Sequence, residues 1–216
     1  MSADRAVTPW RLEAPYYADC VSGFSFAEPP LSDGVVTLRA WRGEDAPVKA
    51  AWGQDAVIVR WTGVPANYTE EAALVWGERT ETAREAGRML ALAIVDAASR
   101  AVLGSCDIRR PDPEDPALGE VGYLLAETAR GRGTATRATG LLIDWSFREL
   151  GMERVQALMH PDNPHSAGVL ERLGFRREGL LRRYRAGDAG REDRVLYSVL
   201  PGELTLQPKL VSRPTP

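Results

Sequence analysis

The segment from residue 120 to residue 159 limits the possible folds more than any other part of this chain. It begins with an apolar run at 120–125 (EVGYLL), passes through a polar loop of glycine and arginine, and then shows a helical pattern from about 133 to 150. A second apolar run, 154–159 (RVQALM), follows directly. Two strands joined by one helix imply a parallel pair with a right-handed crossover. The pattern therefore predicts an α/β protein.

The patterns on either side of this segment predict the rest of the sheet. Further strands are expected at 35–39, 88–96, 101–109, 175–185 and 191–200, and further helices at 44–52, 69–86 and 166–173. The runs 88–96 and 101–109 are close enough to form an antiparallel hairpin. A turn around Gly187, Asp188 and Gly190 joins the last two strands. These elements predict a mixed, mostly antiparallel central sheet with flanking helices, of class α/β (α+β).

Composition is typical of one globular domain. The 216 residues are 44% hydrophobic, which is enough for a sizeable core. A net charge of -3 provides no basic field for nucleic acid, and no run approaches the roughly 20 apolar residues of a membrane-spanning helix. Cys20 and Cys106 have neither metal-binding nor redox spacing. We therefore expect a cytoplasmic protein that binds no metal, no nucleic acid and no membrane.

The predicted domain covers residues 35–200, with residues 1–34 as an irregular extension and residues 201–216 as a tail. The extension contains several prolines but also five aromatic residues, Trp10, Tyr16, Tyr17, Phe24 and Phe26. Because disordered segments contain few aromatic residues, we expect the extension to pack on the domain.

The loop between the first strand and the long helix has the composition of an anion-binding site. Its residues are Arg130, Gly131, Arg132, Gly133, Thr134 and Ala135. Glycines allow backbone amides to converge, and a helix N-terminus adds free N–H groups and a positive dipole end. The loop matches neither a nucleotide P-loop nor a dinucleotide fingerprint. By itself it is equally compatible with a solvated turn.

Together, these segments resemble the GNAT superfamily, the acyl-CoA-dependent N-acetyltransferases. Arg130, Gly133 and Ala135 fit the superfamily's pyrophosphate-loop pattern, and the strand before the loop and the helix after it are in the matching order. The block 163–175 (NPHSAGVLERLGF) resembles the second motif, in particular that of ribosomal-protein alanine N-acetyltransferases. Arg177-Glu178-Gly179 and the later Asp193 are also typical of that branch. The resemblance spans residues 35–200 and is strongest from 119 to 199.

The resemblance implies a GNAT fold in which the strands at 120–125 and 154–159 splay apart and acetyl-CoA binds between them. The pantetheine arm would pair with a free strand edge, as in β-augmentation. Backbone amides from Arg130 to Ala135 would hold the pyrophosphate, and the backbone at Leu124 and Leu125 would line the thioester. Asn163 would bond the pantetheine arm. The side chains of Arg130 and Arg132 would pair with CoA phosphates.

Acyl transfer to an amine needs a base, an oxyanion donor and a proton for the departing thiolate. By the same resemblance, Glu120 is the expected base and an amide of Leu124 or Leu125 the oxyanion donor. Ser166 is the expected acid or water-orienting group. Two alternatives stay open: Glu120 as an exposed strand-end carboxylate, and Ser166 as only a helix N-cap. Leu170 occupies the position where the superfamily often has a tyrosine acid.

The acceptor is expected to be a primary amine, either a protein N-terminus or a small molecule. Trp41, Trp52 and Trp76 either line its groove or pack in the core, whereas Trp61, in a predicted loop, is the favoured acceptor contact. Tyr184 is either a substitute acid or a packing residue, and His160 and His165 lie at the end of a strand with no catalytic role assigned.

Three further possibilities remain from the sequence. The acyl donor could be another acyl-CoA, such as succinyl-CoA. The chain could instead be a CoA-binding regulatory domain without turnover. A homodimer is compatible with the branch, although no residue indicates one.

Overall fold

The structure is a computed structural model that describes residues 23–28, 30–187 and 190–205, and it is built around an eight-stranded sheet. The strands are β1 (Leu31–Ser32), β2 (Val36–Ala40), β3 (Met89–Asp96), β4 (Val102–Arg109), β5 (Leu118–Leu125), β6 (Arg154–Met159), β7 (Arg176–Gly187) and β8 (Gly190–Val199). The helices are α1 (Ala46–Ala51), α2 (Ala56–Trp61), α3 (Glu70–Glu85), α4 (Thr134–Glu149) and α5 (Pro164–Arg172). Short 3-10 helices occupy Gly43–Asp45, Trp52–Gln54 and Glu127–Ala129.

The sheet confirms the predicted mixed topology. Its strand order is β1-β2-β3-β4-β5-β6-β8-β7, and β5 with β6 forms the parallel pair among antiparallel neighbours. The hairpin of β3 and β4 is present as predicted. The return strand β8 lies between β6 and β7, so β7 is at the edge of the sheet. Its arginine-rich, exposed surface is typical of an edge strand that must not pair with another chain.

Helix α4 forms the centre of the main core. Leu141, Leu142 and Ile143 are fully buried, and α4 contacts β2, β4, β5 and α5. Helices α1 and α3 pack against each other, and α3 packs on β3. Successive side chains of a strand point to opposite faces of the sheet. On β4, Cys106 and Ile108 therefore face the main core, whereas Asp107 and Arg109 face away from it.

Two elements differ from the sequence-based expectations. Residues 56–61 form α2, and no helix was predicted there. Its residues Val57, Ile58 and Val59 are β-branched, and such residues disfavour helix. Asp55 offsets that preference, since its side chain accepts hydrogen bonds from the amides of Val57 and Ile58. Leu31–Ser32 also pairs with β2 as a short strand inside the predicted extension.

Some predictions fall on residues that the structure does not describe. These include Trp10, Tyr16, Tyr17, Cys20 and Asp188. Among the helices in the described part of the chain, none combines the length and apolar composition needed to cross a bilayer. The predicted domain boundaries stay predictions.

Three of the four tryptophans named above pack together around a buried lysine, as the packing interpretation required. The ring of Trp41 lies 5.8 Å from that of Trp52 and 6.2 Å from that of Trp76, both edge to face. Lys49 is 4% exposed, and its Nζ lies 3.8 Å from the ring centroids of both Trp41 and Trp76. The nearby Asp45 carboxylate is held by Arg39 at 2.7 and 2.8 Å.

Replacing Lys49 with methionine is expected to stabilise the fold. Burial lowers the pKa of Lys49 to about 7, with Asp45 opposing the shift. The penalty for the charged form is fully present below that pKa and disappears as the pH rises towards the unfolded value. The free energy of unfolding of K49M should therefore rise by roughly 1–3 kcal/mol at about pH 6 and by less at about pH 10, in urea titrations. R88M removes a cation from an exposed position and should change little at either pH; an equal effect of both variants would contradict the prediction.

Candidate active site

The parallel strands β5 and β6 separate, as predicted from the resemblance. Their register runs from Leu118 opposite Arg154 to Glu120 opposite Gln156 and ends there. Beyond that point β5 stays paired with β4 through Leu125, and β6 stays paired with β8 through Met159. Residues 121–125 therefore present one unpaired backbone edge to the gap between the strands. We call this gap the fork.

The direction of the backbone amides distinguishes the two predicted oxyanion donors. The amide of Ala126 donates to the carbonyl of Leu103, 2.9 Å away, so it points towards β4. Successive residues of a strand direct their N–H and C=O groups to opposite sides. The amide of Leu125 consequently faces the fork, and that of Leu124 faces β4. The structure thus favours Leu125 over Leu124.

The loop after β5 adopts left-handed backbone conformations at two of its glycines. Gly131 has φ +73° and Gly133 has φ +75°, and α4 begins directly afterwards at Thr134. A Cβ atom at either glycine would meet no protein atom within 4 Å, so the requirement for glycine is conformational rather than spatial. The free amides at the start of α4 lie at the end of this loop, next to the fork.

The side chain of Arg130 points into the protein rather than towards a ligand. Its Nε and Nη2 donate to the Leu125 carbonyl at 3.2 and 3.0 Å, and Nη2 also forms an ion pair with Asp55. The predicted pairing of this guanidinium with CoA phosphates stays a prediction, and in the structure the guanidinium is bound by Leu125 and Asp55. Arg130 instead ties the loop to β5 and to the start of α2. Arg132 is exposed and keeps the predicted role as a proposal.

Removing the Asp55 carboxylate is expected to lower the stability of the fold and to release the Arg130 side chain of the loop. Burial alone would raise the pKa of Asp55, but hydrogen bonds from Arg130 and from the amides of Ile58 and Val57 lower it. Its stabilising contribution is therefore present above the unfolded pKa and is lost as the pH falls through the folded value. D55A should lower the free energy of unfolding by roughly 1–2 kcal/mol near neutral pH, measured by urea titration.

A matched control for D55A is D144A. Asp144 forms an ion pair with Arg148 one turn along the surface of α4, and such exposed pairs contribute little. If D144A destabilised the protein as much as D55A, the structural role of the Asp55 contact would be contradicted.

Glu120 lies at the last paired position before the fork. Its Oε2 accepts a hydrogen bond from Gln156 Nε2 at 3.2 Å, and its Oε1 lies 3.8 Å from Arg109 Nη1. Arg109 is itself bound to Asp107 at 2.6 Å. The side chain of Glu120 is 19% exposed, so it is not the freely solvated strand-end group of the alternative interpretation. The hydrogen bond from Gln156 orients the carboxylate, and the Arg109 guanidinium places a positive charge near its other oxygen.

Ser166 faces the other surface of β5 and contacts a residue that the sequence did not single out. The Tyr123 hydroxyl lies 2.8 Å from Ser166 Oγ and donates to the Ser166 carbonyl at 3.1 Å. Burial raises the pKa of Tyr123 to about 12, against a lowering by the Ser166 hydrogen bond, so the phenol stays protonated. The sequence did contain a sign of this contact. A tyrosine at an inward position of an apolar strand buries its hydroxyl, and a buried hydroxyl needs a hydrogen-bond partner.

Asn163, not Ser166, is the N-cap of α5. Its Oδ1 accepts a hydrogen bond from the Ser166 amide at 3.1 Å, and Pro164 occupies the first helical position. The alternative that assigned Ser166 only to capping is therefore wrong. The Asn163 oxygen keeps one further lone pair and the side-chain amide nitrogen has no partner among the described residues, so either group can contact a ligand.

Trp61 and His160 meet beside the end of β6. Their ring centroids are 5.1 Å apart, and the Arg60 guanidinium lies 4.3 Å from the Trp61 ring. His160 Nδ1 accepts from the amide of Asp162 at 3.1 Å, which places the proton of the neutral ring on Nε2. Trp61 is the last residue of α2 rather than part of a loop. Tyr184 is exposed on β7, and no metal-binding cluster occurs among the described residues.

Comparisons with known proteins agree with this geometry. The family model described as an acetyltransferase (GNAT) domain matches residues 36–176. This chain belongs to the GNAT acetyltransferase family. An uncharacterized N-acetyltransferase p20 of Bacillus licheniformis is 29% identical over 169 residues, which are 78% of this chain and 94% of that protein.

Solved structures share the same fold. Mycobacterium smegmatis RimJ, in complex with CoA-disulfide, is 26% identical with a TM-score of 0.72, covering 82% of this chain and 88% of RimJ. The ribosomal-protein-S5-alanine acetyltransferase of Vibrio fischeri is 23% identical with a TM-score of 0.68, covering 85% of this chain and 99% of that one. The second likeness is evidence for the fold alone.

Proposed function

We propose that this protein transfers an acetyl group from acetyl-CoA to a primary amine by direct attack within a ternary complex. The observation that carries the proposal is the fork, because β5 has an unpaired edge at 121–125 directly before a glycine loop and a helix N-terminus. An extended pantetheine arm can pair with that edge, while the amides from Arg130 to Ala135 receive the pyrophosphate. The solved complex of Mycobacterium smegmatis RimJ with CoA-disulfide supports a CoA derivative as the ligand.

The two predicted catalytic groups lie on opposite faces of the sheet. Glu120 and Tyr123, the contact of Ser166, are three residues apart on β5. Residues an odd number apart in a strand point to opposite faces, so Ser166 lies on the face opposite Glu120. In the proposed reaction, Glu120 removes a proton from the amine, whose nitrogen then attacks the thioester carbonyl. The Leu125 amide stabilises the oxyanion. The C–S bond breaks, and the Ser166 hydroxyl, bonded to Tyr123, passes its proton to the CoA thiolate while taking a replacement proton from bulk water; Glu120 returns the proton of the amine to bulk water.

A protein N-terminus is the acceptor class favoured by the sequence resemblance to ribosomal-protein alanine N-acetyltransferases. Trp61 and His160 form an aromatic wall at the end of β6 that an acceptor peptide can contact. A small-molecule amine is the other acceptor class compatible with the fork. Homodimerisation and a cytoplasmic location stay predictions.

The proposal is tested by titrating the protein with acetyl-CoA, CoA and succinyl-CoA in a calorimeter and then measuring thiol release with amines and N-terminal peptides. Micromolar acetyl-CoA binding with amine-dependent thiol release is the expected result. Preferential turnover of succinyl-CoA would identify succinyl-CoA, rather than acetyl-CoA, as the acyl donor. CoA binding without turnover would favour a regulatory domain. Absence of binding to every CoA species would overturn the assignment of the loop.

Substituting Ser166 tests the proposed proton donor. S166A should lower kcat by roughly tenfold while leaving the Kd of acetyl-CoA within about twofold, because the hydroxyl acts on the leaving thiolate. Y123F should lower kcat less, since it removes the partner of Ser166 rather than the donor itself. Thiol-release kinetics measure both variants. A larger loss in Y123F than in S166A would reassign the proton donor to Tyr123.

A further inference from the structure

Helix α2 crosses the open end of the fork. At its start, Asp55 is bound to Arg130, whose guanidinium also binds the carbonyl of Leu125, the last residue of β5. At its end, Trp61 lies against His160, the first residue after β6. The carboxyl ends of two parallel strands lie at the same edge of a sheet. The six residues of α2, about 9 Å in length, therefore connect the end of β5 to the end of β6.

Little besides its N-terminal contact holds α2 in this position. Its six residues are too few to form a stable helix in water, and three of them are β-branched. Ile58 is the one buried side chain among the six. The helix packs mainly on the short 3-10 helix that precedes it, Trp52–Gln54. The placement of Trp61 therefore depends on how the N-terminus of α2 is fixed.

Asp55 serves two elements with its two carboxylate oxygens. Its Oδ1 accepts hydrogen bonds from the amides of Val57 at 2.9 Å and Ile58 at 3.2 Å, which caps α2. Its Oδ2 forms the ion pair with Arg130. The side chains of this pair are 16% exposed on Asp55 and 30% on Arg130, so the pair is partly shielded from salt. Asp55 thus joins the glycine loop, on the donor side of the fork, to the helix that carries Trp61.

We propose that Asp55 is a positioning residue for the acceptor: by fixing α2 to Arg130, it holds Trp61 against His160 at the place where the amine enters. The inference rests on the proposed function for that place of entry, whereas the contacts of Asp55 do not depend on it. Asp55 is not a catalytic residue, since its oxygens are occupied by Arg130 and by the amides of α2. It acts on the acceptor through Trp61.

The test uses D55N, with D144N as its control. Asparagine caps helices as well as aspartate does, but its amide nitrogen would face Arg130 and cannot accept a hydrogen bond. D55N should raise KM at least about fivefold for a hexapeptide beginning with alanine and for tyramine, the size of one lost aromatic contact. The kcat and the Kd of acetyl-CoA should stay within about twofold, as expected when only an acceptor contact is lost. D144N makes the same change in an exposed ion pair on α4 and should leave all three constants unchanged.

A double-mutant cycle shows whether Asp55 acts through Trp61. W61A should raise the same KM, and adding D55N to W61A should raise it by less than about twofold more, because the ring on which Asp55 acts is already gone. Multiplied effects of the two substitutions would overturn the inference. An unchanged KM in D55N would also overturn it. So would a loss of acetyl-CoA affinity as large as the rise in KM, since the contact would then serve the donor side alone.

A spectroscopic readout separates this inference from the proposed function. The indole N–H resonance of Trp61, identified by its loss in W61F, should move in D55N as the ring leaves His160 and should not move in D144N. This measurement needs no acceptor. If the wild type acetylates no amine, the proposed function fails, while an unmoved Trp61 resonance in D55N overturns the inference about Asp55.

Discussion

Replacing Glu120 with glutamine is expected to lower kcat for amine acetylation by roughly 100-fold or more, the usual contribution of a positioned general base. Glutamine keeps the size of the side chain and can still bond to Gln156, but it cannot take a proton from the attacking amine. Acetyl-CoA binds to backbone groups in the proposed site, so its Kd should stay within about twofold of wild type. Thiol release at saturating acetyl-CoA measures kcat, and calorimetry measures the Kd of acetyl-CoA.

The matched control for E120Q is E153Q, which makes the same chemical change at an exposed position just before β6. E153Q should leave kcat unchanged. If E120Q retained wild-type kcat across the pH range in which the enzyme is active, Glu120 would not be the base. A loss of acetyl-CoA affinity equal to the loss of kcat would instead assign Glu120 to binding.

Replacing Gly133 with valine is expected to weaken acetyl-CoA binding at least about tenfold. Gly133 has φ +75°, a left-handed conformation that costs an ordinary residue roughly 1–2 kcal/mol and a β-branched residue more. The loop must either keep this strain or turn its amides away from the pyrophosphate, and about 1.4 kcal/mol corresponds to a tenfold change in Kd. Calorimetric titration with acetyl-CoA measures the change, and thermal unfolding measures the strain retained in the free protein.

G179V provides the control for the glycine substitution. Gly179 lies in β7 with no positive φ, and a Cβ atom there would meet nothing within 4 Å. Valine is favoured in strands, so G179V should bind acetyl-CoA as the wild type does. Wild-type affinity in G133V would show that the pyrophosphate does not depend on this loop conformation, which would remove the main support for the proposed site.

The sequence predicted the location of the candidate site but not all of its contacts. Glu120 and the glycine loop lie on or between elements that were predicted at nearly the correct bounds, and Asn163 directly precedes a helix predicted two residues later than it begins. By contrast, the contact of the Arg130 side chain with Asp55 was not predicted, because the two residues are 75 positions apart in the sequence. The Tyr123–Ser166 contact joins residues 43 apart and was missed for the same reason. Whether Glu120 and Ser166 act as proposed is a question for the kinetic tests.

Local sequence patterns did not predict the bounds of two helices correctly. In α2 the β-branched residues disfavour helix, whereas Asp55 caps it, and contact with the loop through Arg130 holds the capping residue in place. At α5 the pair Asn163-Pro164 was itself a helix-start signal, and the observed helix begins two residues before the prediction.

By itself the sequence determined every strand except β1, most of the helices and the loop between β5 and α4, because periodicity, N-caps and glycines act over a few neighbouring residues. The tertiary structure decided that β8 lies between β6 and β7 and that Trp41 and Trp76 enclose Lys49. These features depend on contacts between residues far apart in the chain. Such contacts form only when whole elements pack to bury their apolar faces, and local sequence patterns do not specify them.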